Sequence, residues 1–284
     1  MAGPCDRVVK KNIKRVGRAF IQAVFPSRCF VCGALFHPGP NDVADPGSSD
    51  DARLCFRQEM DSFLCPQCRS GFSPVASPCC PMCGVMFQTI GGGDHLCGEC
   101  LASPKKFGMA RAPGVFSGEY KQAIHAFKYR NRIALADPLG RMLLHFFARV
   151  WEQKNVDLAT PVPLHKKRLR ERGFNQAYLL IRDWPRLMET SGFQRLGLRV
   201  APDILQRDKQ TRSQTGLDRK QRMKNMKNAF SLADGRHIAG KRILLVDDVY
   251  TTGATFEECS KVLLKAGAAR VDALSLARAM PGLN

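Results

Sequence analysis

The sequence predicts an α/β fold with a mostly parallel sheet, preceded by a small cysteine-rich module. Three observations predict it. Cys-x2-Cys pairs occupy positions 29/32, 65/68, 80/83 and 97/100, and then stop. After Pro104, short apolar runs alternate with runs of helical period, as in strand–helix–strand units. Near the end, Ile243-Leu244-Leu245-Val246 reads as a buried strand leading into Asp247-Asp248 and a Thr/Gly-rich turn.

A chain of 284 residues has room for about two domains. The boundaries fall as a basic amphipathic helix over 1–25, the cysteine module over 26–104 and the α/β domain over 105–284. Hydrophobic residues at 44% and charged residues at 24% are ordinary for a folded globular protein. The net charge of +19 is not, and it favours anionic partners: phosphate-bearing metabolites, nucleic acid or an acidic membrane surface. No apolar run approaches the ~20 residues of a membrane span. Metal-type cysteine spacing, rather than disulfide spacing, predicts a reducing, cytoplasmic setting, with a peripheral place at the inner membrane as the alternative.

The elements follow in chain order. Val9, Ile13, Val16, Phe20 and Val24 share one face of the basic N-terminal helix, and no small-residue cleavage site follows. Packing on its own protein is preferred to a membrane surface or a targeting signal. Each cysteine pair then puts two thiolates on one tight turn, half of a tetrahedral zinc site. Gly33 and Gly84 follow two of the pairs, where a turn benefits from positive φ. Taken in order, Cys29, Cys32, Cys65 and Cys68 make one zinc set, and Cys80, Cys83, Cys97 and Cys100 another. The result is a double zinc ribbon, with interleaved pairing left open. Cys80 is preferred to Cys79 because only Cys80 has x2 spacing to Cys83, while Cys5, Cys55 and Cys259 stand apart, Cys259 on a buried helix face. Four thiolates close a zinc site, so such sets supply folding energy rather than chemistry. The Pro-, Gly- and Asp-rich stretch near 37–53 reads as a flexible insert. Few aromatics lie among the knuckles, which weakens a base-stacking role for them.

Beyond Pro104, Val115-Phe116 is a short strand, and Ala123, Ile124 and Phe127 form a helical stripe. A helix over 135–151 turns Leu139, Leu143, Phe146, Phe147 and Val150 inward, and Val156 to Val162 is a strand. A basic loop follows. Its five cations, Lys166, Lys167, Arg168, Arg170 and Arg172, would focus field on an anion such as diphosphate. A helix with Ala177, Leu180 and Ile181 comes next, and then a polar, cationic, mobile stretch from Asp208 to Asn225. Residues 161–230 hold 17 Lys/Arg against 6 Asp/Glu, so more than half of the net charge lies here.

The strand 243–246, its acid pair, the turn and the amphipathic run with Phe256, Val262, Leu263 and Leu264 can together hold a phosphorylated sugar. Loop N–H groups and a helix N-terminus take the phosphate. The carboxylates accept hydrogen bonds from vicinal hydroxyls. A Walker-type NTPase is excluded, because Gly-x4-Gly-Lys-Ser/Thr does not occur. Residues 243–255 resemble the phosphoribosyl diphosphate (PRPP) binding motif of type I phosphoribosyltransferases. The resemblance implies that Asp247 and Asp248 bind the ribose 2′- and 3′-hydroxyls. It also implies that Thr251, Thr252, Gly253, Ala254 and Thr255 wrap the 5′-phosphate, with Val249 and Tyr250 as the spacer. His165, Lys166, Lys167 and Arg168 would face the diphosphate, with Arg172 beside the leaving group. Lys209 and Arg212 would come from a closing lid, and Mg2+ would accompany PRPP. The implied catalytic set is Asp247, Asp248, Lys166 and Arg172.

A wider resemblance is to the competence protein F family, phosphoribosyltransferase-type proteins with a zinc ribbon. It rests on the cysteine pairs, Phe127-Lys128-Tyr129, Pro161-Val162-Pro163-Leu164, Arg172-Gly173-Phe174-Asn175-Gln176-Ala177, Gln214-Thr215-Gly216-Leu217 with Arg222 and Asn225, Asn228-Ala229-Phe230, the acid-pair motif and Leu276-Ala277-Arg278. It implies displacement of diphosphate from PRPP by an acceptor not named by the sequence, linked to DNA uptake and competence-machinery partners. The alternative is a non-catalytic protein of the transformation machinery that binds PRPP or single-stranded DNA. His125 and His165 are the candidate bases, because imidazole titrates near neutrality. No Cys–His pairing supports an attached glutaminase, so any ammonia would come from a partner.

Overall fold

The structure is a computed structural model that describes residues 26–39, 51–88, 92–129, 132–151, 156–190, 197–209, 221, 226–233 and 237–281. The N-terminal amphipathic stretch, insert residues 40–50, and Arg212 with most of the stretch around it lie outside the described residues.

Each four-cysteine set is built from one glycine-closed turn and one helix start. In the first, strands β1 (Ser27–Arg28) and β2 (Leu35–Phe36) pair antiparallel around Cys29 and Cys32. Gly33 closes that turn at φ 78, and its N–H donates to the Cys29 carbonyl at 3.0 Å. Helix α1 (Asp51–Glu59) follows, so the expected insert ends earlier than position 53, and Cys55 lies on this helix. Cys65 then caps helix α2 (Pro66–Ser70), with Pro66 at its first turn and Cys68 inside it. The second set repeats the plan. Gly84 closes the Cys80–Cys83 turn at φ 65, and Cys97 caps helix α3 (Gly98–Ala102), which holds Cys100. The second pair of each set thus starts a helix rather than closing a second tight turn.

The α/β region centres on a parallel sheet. Its strands are β3 (Ala110–Arg111), β4 (Gly114–Val115), β5 (Leu158–Pro161), β6 (Arg199–Val200), β9 (Arg242–Tyr250) and β10 (Arg270–Arg278). The order is β3-β10-β9-β5-β6, and β4 extends the β3 edge of β10. Strands β7 (Leu205–Arg207) and β8 (Phe230–Leu232) form a separate antiparallel pair. The expected mostly parallel sheet is therefore observed. Its continuous apolar strands follow from burial on both faces.

Alternation along β9 sorts the core into two clusters. Leu244 and Val246 join Phe56, Cys65, Cys68 and Phe72 on one face. Ile243 and Leu245 join Cys80, Cys83, Cys100 and Phe107 on the other. Each four-cysteine set therefore packs against its own face of one sheet. Helix α4 (Gly118–Tyr129) buries Ala123, Ile124 and Phe127, and Tyr120 donates its hydroxyl to the Leu276 carbonyl at 2.7 Å. Gly114 lets this happen, because a Cβ there would meet the Phe72 and Tyr120 rings at 2.6 and 2.7 Å. Helix α5 (Ala136–Val150) buries Leu139, Leu143 and Phe147 as its period predicts. Among the described residues no helix is long and apolar enough to cross a membrane.

Candidate functional site

Strand β9 does not stop at the acids. Asp247 lies opposite Ser275, and the pairing with β10 continues to Tyr250 opposite Arg278. The acid pair is thus held in a strand rather than at its end, because a neighbour of equal length carries the ladder onward. Three bent residues, Thr251 to Gly253, then lead into helix α9 (Ala254–Lys265). Gly253 stands at the helix start with φ 79, and a Cβ there would meet the Tyr250 ring at 2.7 Å. Thr252 Oγ1 accepts from the Ala254 N–H at 3.4 Å. Phe256 and Leu263 are buried, Val262 and Leu264 partly so, and Cys259 is fully buried as expected.

The two acids differ in company. Asp247 Oδ1 accepts from the Asp248 N–H at 2.8 Å. Burial, and then the neighbouring Asp248 charge, push the Asp247 carboxyl up to about 7, against the opposing pull of Lys128 and Arg207. Asp248 is paired: Lys128 Nζ stands 2.7 Å from its Oδ1, and both side chains are mostly buried. Lys128 is the functional candidate that sequence reasoning passed over. In sequence it is one residue of Phe127-Lys128-Tyr129, and its partner Asp248 lies far away in the chain.

The cationic run is not a loop. Residues Lys166–Arg172 form helix α6, with His165 at its N-cap accepting from the Lys167 N–H at 3.2 Å and Gly173 closing it at φ 78. Lys, Arg, Leu and Glu are good helix formers, and a capping side chain with a closing glycine completes the set. Lys166 and Lys167 are exposed, whereas Arg168 and Arg172 are half-buried. The Arg172 guanidinium lies 4.8 Å from the Tyr129 ring centroid and donates to Gln176 Oε1 at 3.1 Å. This places Arg172 beside the residue that follows Lys128. Asn175 caps helix α7 (Gln176–Ile181) and donates to the Val162 carbonyl at 3.0 Å, fixing the strand end, and helix α8 (Trp184–Thr190) follows. Arg207 is buried on β7 and feels both Arg168 and Asp247. Lys209 is exposed just beyond β7. His125 stacks on Phe116 and lies tilted at 60° to Tyr129, both at 5.8 Å, and is exposed.

The cysteines assemble in sequence order. Within Cys29, Cys32, Cys65 and Cys68, and within Cys80, Cys83, Cys97 and Cys100, the sulfurs lie within 4.8 Å of one another. The Cys32–Cys65 and Cys83–Cys97 separations are both 3.7 Å. Four sulfurs about 2.3 Å from a tetrahedral zinc stand about 3.8 Å apart, so both sets fit that ion. Burial pushes the Cys29 and Cys80 thiols up, but backbone N–H donors outweigh it and leave each at about 7. Cys79 is outside the sets, as expected, with its N–H donating to Asp94 Oδ1 at 2.8 Å.

Over 220 residues, 76% of this chain and 90% of the relative, the sequence is 33% identical to competence protein F of Haemophilus influenzae. The chain belongs to the competence protein F family. Other relatives within reach are DNA utilization protein YhgH of Escherichia coli K12, 30% identical over 71% of this chain and 84% of that protein, and competence protein ComFC of Bacillus subtilis, 26% identical over 80% and 88%. No family model matches the chain. A hypoxanthine phosphoribosyltransferase structure from Staphylococcus aureus covers 49% of this chain and 62% of its own at TM-score 0.29 and 12% identity. A purine phosphoribosyltransferase from Pyrococcus horikoshii covers 50% and 72% at TM-score 0.27 and 17% identity. Scores of that size carry no weight by themselves.

For this member of the competence protein F family, the structure brings together the acid pair, Lys128, the Thr/Gly loop and the start of helix α9. Arg168 and Arg172 lie to one side on helix α6. Arg278 was noted in sequence only as part of a closing motif, yet it donates to the carbonyls of both Thr251 and Cys83. No sequence signal marks such a role, because the contact joins residues 195 positions apart.

Proposed function

We propose that the chain is a Mg2+-dependent, PRPP-binding phosphoribosyltransferase-like protein linked to DNA uptake. The observation that carries this reading is the acid pair on β9, followed at once by the Thr/Gly loop and the N-terminus of the 12-residue helix α9. Loop N–H groups at residues 251–255 and the helix dipole would hold a 5′-phosphate. Asp247 and Asp248 would accept hydrogen bonds from the ribose 2′- and 3′-hydroxyls, with Val249 and Tyr250 as the spacer. The diphosphate would meet His165, Lys166, Lys167, Arg168 and Arg172 along helix α6, with Lys209 and Arg212 closing over it. Closure would exclude water from an activated sugar.

Mg2+ takes hard oxygen ligands and would supply charge stabilisation for the departing diphosphate. The carboxylates of Asp247 and Asp248 are hard donors beside the loop, so the residues suit it. Lys128 already stands on Asp248 and supplies a fixed positive charge at the same place. An oxocarbenium-like transition state at the ribose would be favoured by the carboxylates, and the leaving diphosphate by the cations. This division of labour needs no covalent step by the protein.

A second reading, binding without turnover, is favoured by the histidines. His165 is used as a helix cap, and His125 is in contact with two rings. A single-stranded nucleic acid could use the same helix. Lys121, Phe116, His125, Tyr129 and Arg172 follow one another as ring and cation contacts at 4.8 to 5.8 Å. Calorimetric titration of PRPP with Mg2+ separates the outcomes. Wild type is expected to bind, and Asp247→Asn with Asp248→Asn to lose binding while keeping its fold. Equal affinity in the two proteins would sink the reading. Binding without product formation across an acceptor screen would favour the second.

A further inference from the structure

The residues beneath the loop form a connected column that reaches the second four-cysteine set. Arg278 is buried at 7% exposure, at the end of β10. Its Nε donates to the Cys83 carbonyl at 3.1 Å. Its Nη1 donates to the carbonyls of Tyr250 at 3.3 Å, Thr251 at 2.6 Å and Ala279 at 2.7 Å. All four acceptors are main-chain carbonyls. The guanidinium lies 3.9 Å from the centroid of the Tyr250 ring. Gly253 also lies against that ring, where a Cβ would meet its Cε2 at 2.7 Å. Phe107, which shares a core cluster with Cys80, Cys83 and Cys100, meets the Tyr250 ring edge-on at 6.1 Å.

Only a planar, always-charged fork can serve carbonyls on two separate segments while stacking on a ring. Arg278 joins the Cys80–Cys83 turn to the first residue of the loop. We propose that Arg278 is a positioning residue that couples the second four-cysteine site to the loop at 251–255. With the metal bound, the Cys83 turn is fixed and holds Arg278. Arg278 holds the Thr251 carbonyl and the Tyr250 ring, and the ring sets the height of Gly253. Losing the metal frees the turn and lets the loop N–H groups drift out of register. The metal is then a condition for phosphate binding without touching the ligand, and by linkage a bound phosphate tightens retention of that metal. The phosphate part of this inference rests on the ribose-phosphate reading above, whereas the coupling itself does not.

The test is hydrogen exchange on the full chain, read at the amides that tie the loop down, Glu257 on the Gly253 carbonyl and Ala279 on the Tyr250 carbonyl, with calorimetry of ribose 5-phosphate beside it. In wild type with both metals bound, those two amides are expected to be protected, and Cys100→Ser to speed their exchange at least tenfold. Arg278→Met with its metals still bound is expected to show the same fast loop, and adding Cys100→Ser to change it no further. Arg278→Lys keeps the charge without the fork and guards against a misfolded Met variant. It is expected to loosen the loop while the amides of Ile243 to Val246 stay protected. A role in general packing would loosen both together. Unchanged loop exchange in Cys100→Ser, or additive effects of the two substitutions, would overturn the coupling. Ribose 5-phosphate affinity is expected to fall at least tenfold in both single variants. If wild type binds none, the ribose-phosphate reading fails, and the exchange measurements still decide the coupling.

Discussion

The two four-cysteine sites share a recipe and differ in what surrounds them. The first sits in an aromatic cluster, where Phe56 stacks on Phe72 at 4.4 Å and both meet Tyr120 edge-on at 5.2 and 4.9 Å. Its polar contacts include Arg69 with Asp61 at 2.7 Å inside the module and Glu59 with Arg141 at 2.7 Å on helix α5. The second is tied to the sheet by the Ala110 N–H donating to the Met82 carbonyl at 2.8 Å, and to the loop through Arg278. The Cys-x2-Cys spacing within each pair is the same in both, so it does not reveal the contact that runs from the second set to the loop.

The largest expected effect separates the sites in kind. Structural zinc contributes about 10–16 kcal/mol of apparent binding free energy, comparable to the about 5–15 kcal/mol stability of a whole domain. Cys68→Ser should therefore dissolve the first module and its share of the core, seen as a lost or strongly lowered thermal transition. Cys100→Ser should keep more of the folded signal and lose ligand affinity instead. If both substitutions reduce stability and affinity in the same proportion, the contrast between the sites is wrong. Next in size is Phe56→Ala, which opens a cavity between two rings and should cost about 3–5 kcal/mol. Ribose 5-phosphate affinity measured on the folded fraction, and metal content of the second site, should not change. A matching fall in affinity would show that the first face of the sheet also supports the loop.

Local pattern carried the reading wherever the cause was local. The Cys-x2-Cys spacing foretold the two four-cysteine sets, and the apolar periods foretold the stripe of helix α5 and the core of β9. The extent of β9 was not visible, because Asp247 and Asp248 end the apolar run, and only pairing with β10 shows the strand continuing to Tyr250. The cations of helix α6 were read as a loop from their charge, although His165 before them and Gly173 after them are ordinary helix boundaries. Those signals were present and outweighed by composition. Lys128 and Arg278 could not be placed from sequence at all, because each acts through a contact more than a hundred residues away along the chain.

The face of the sheet that carries the loop should also bear a cost that the first module lacks, and Asp247 is where it can be measured. Its carboxyl is pushed up to about 7, first by burial and then by Asp248, while Lys128 and Arg207 pull the other way. The folded protein therefore holds this proton more tightly than the unfolded chain, whose carboxyl titrates at 3.8. Below that value Asp247 is neutral in both states and costs nothing. As pH rises through the window from 3.8 to about 7, the folded state is progressively penalised, and above it the penalty is complete. Asp247→Asn should accordingly be near neutral at pH 4 and stabilise the protein by a few kcal/mol above pH 7, by thermal or denaturant melting. Lys128→Met removes the cation that opposes the shift, so in its background the gain should keep growing to higher pH and end larger. An Asp247→Asn gain that is constant with pH would mean that Asp247 is ionised throughout, with Lys128 serving both acids, and the cost would have to be sought elsewhere on that face.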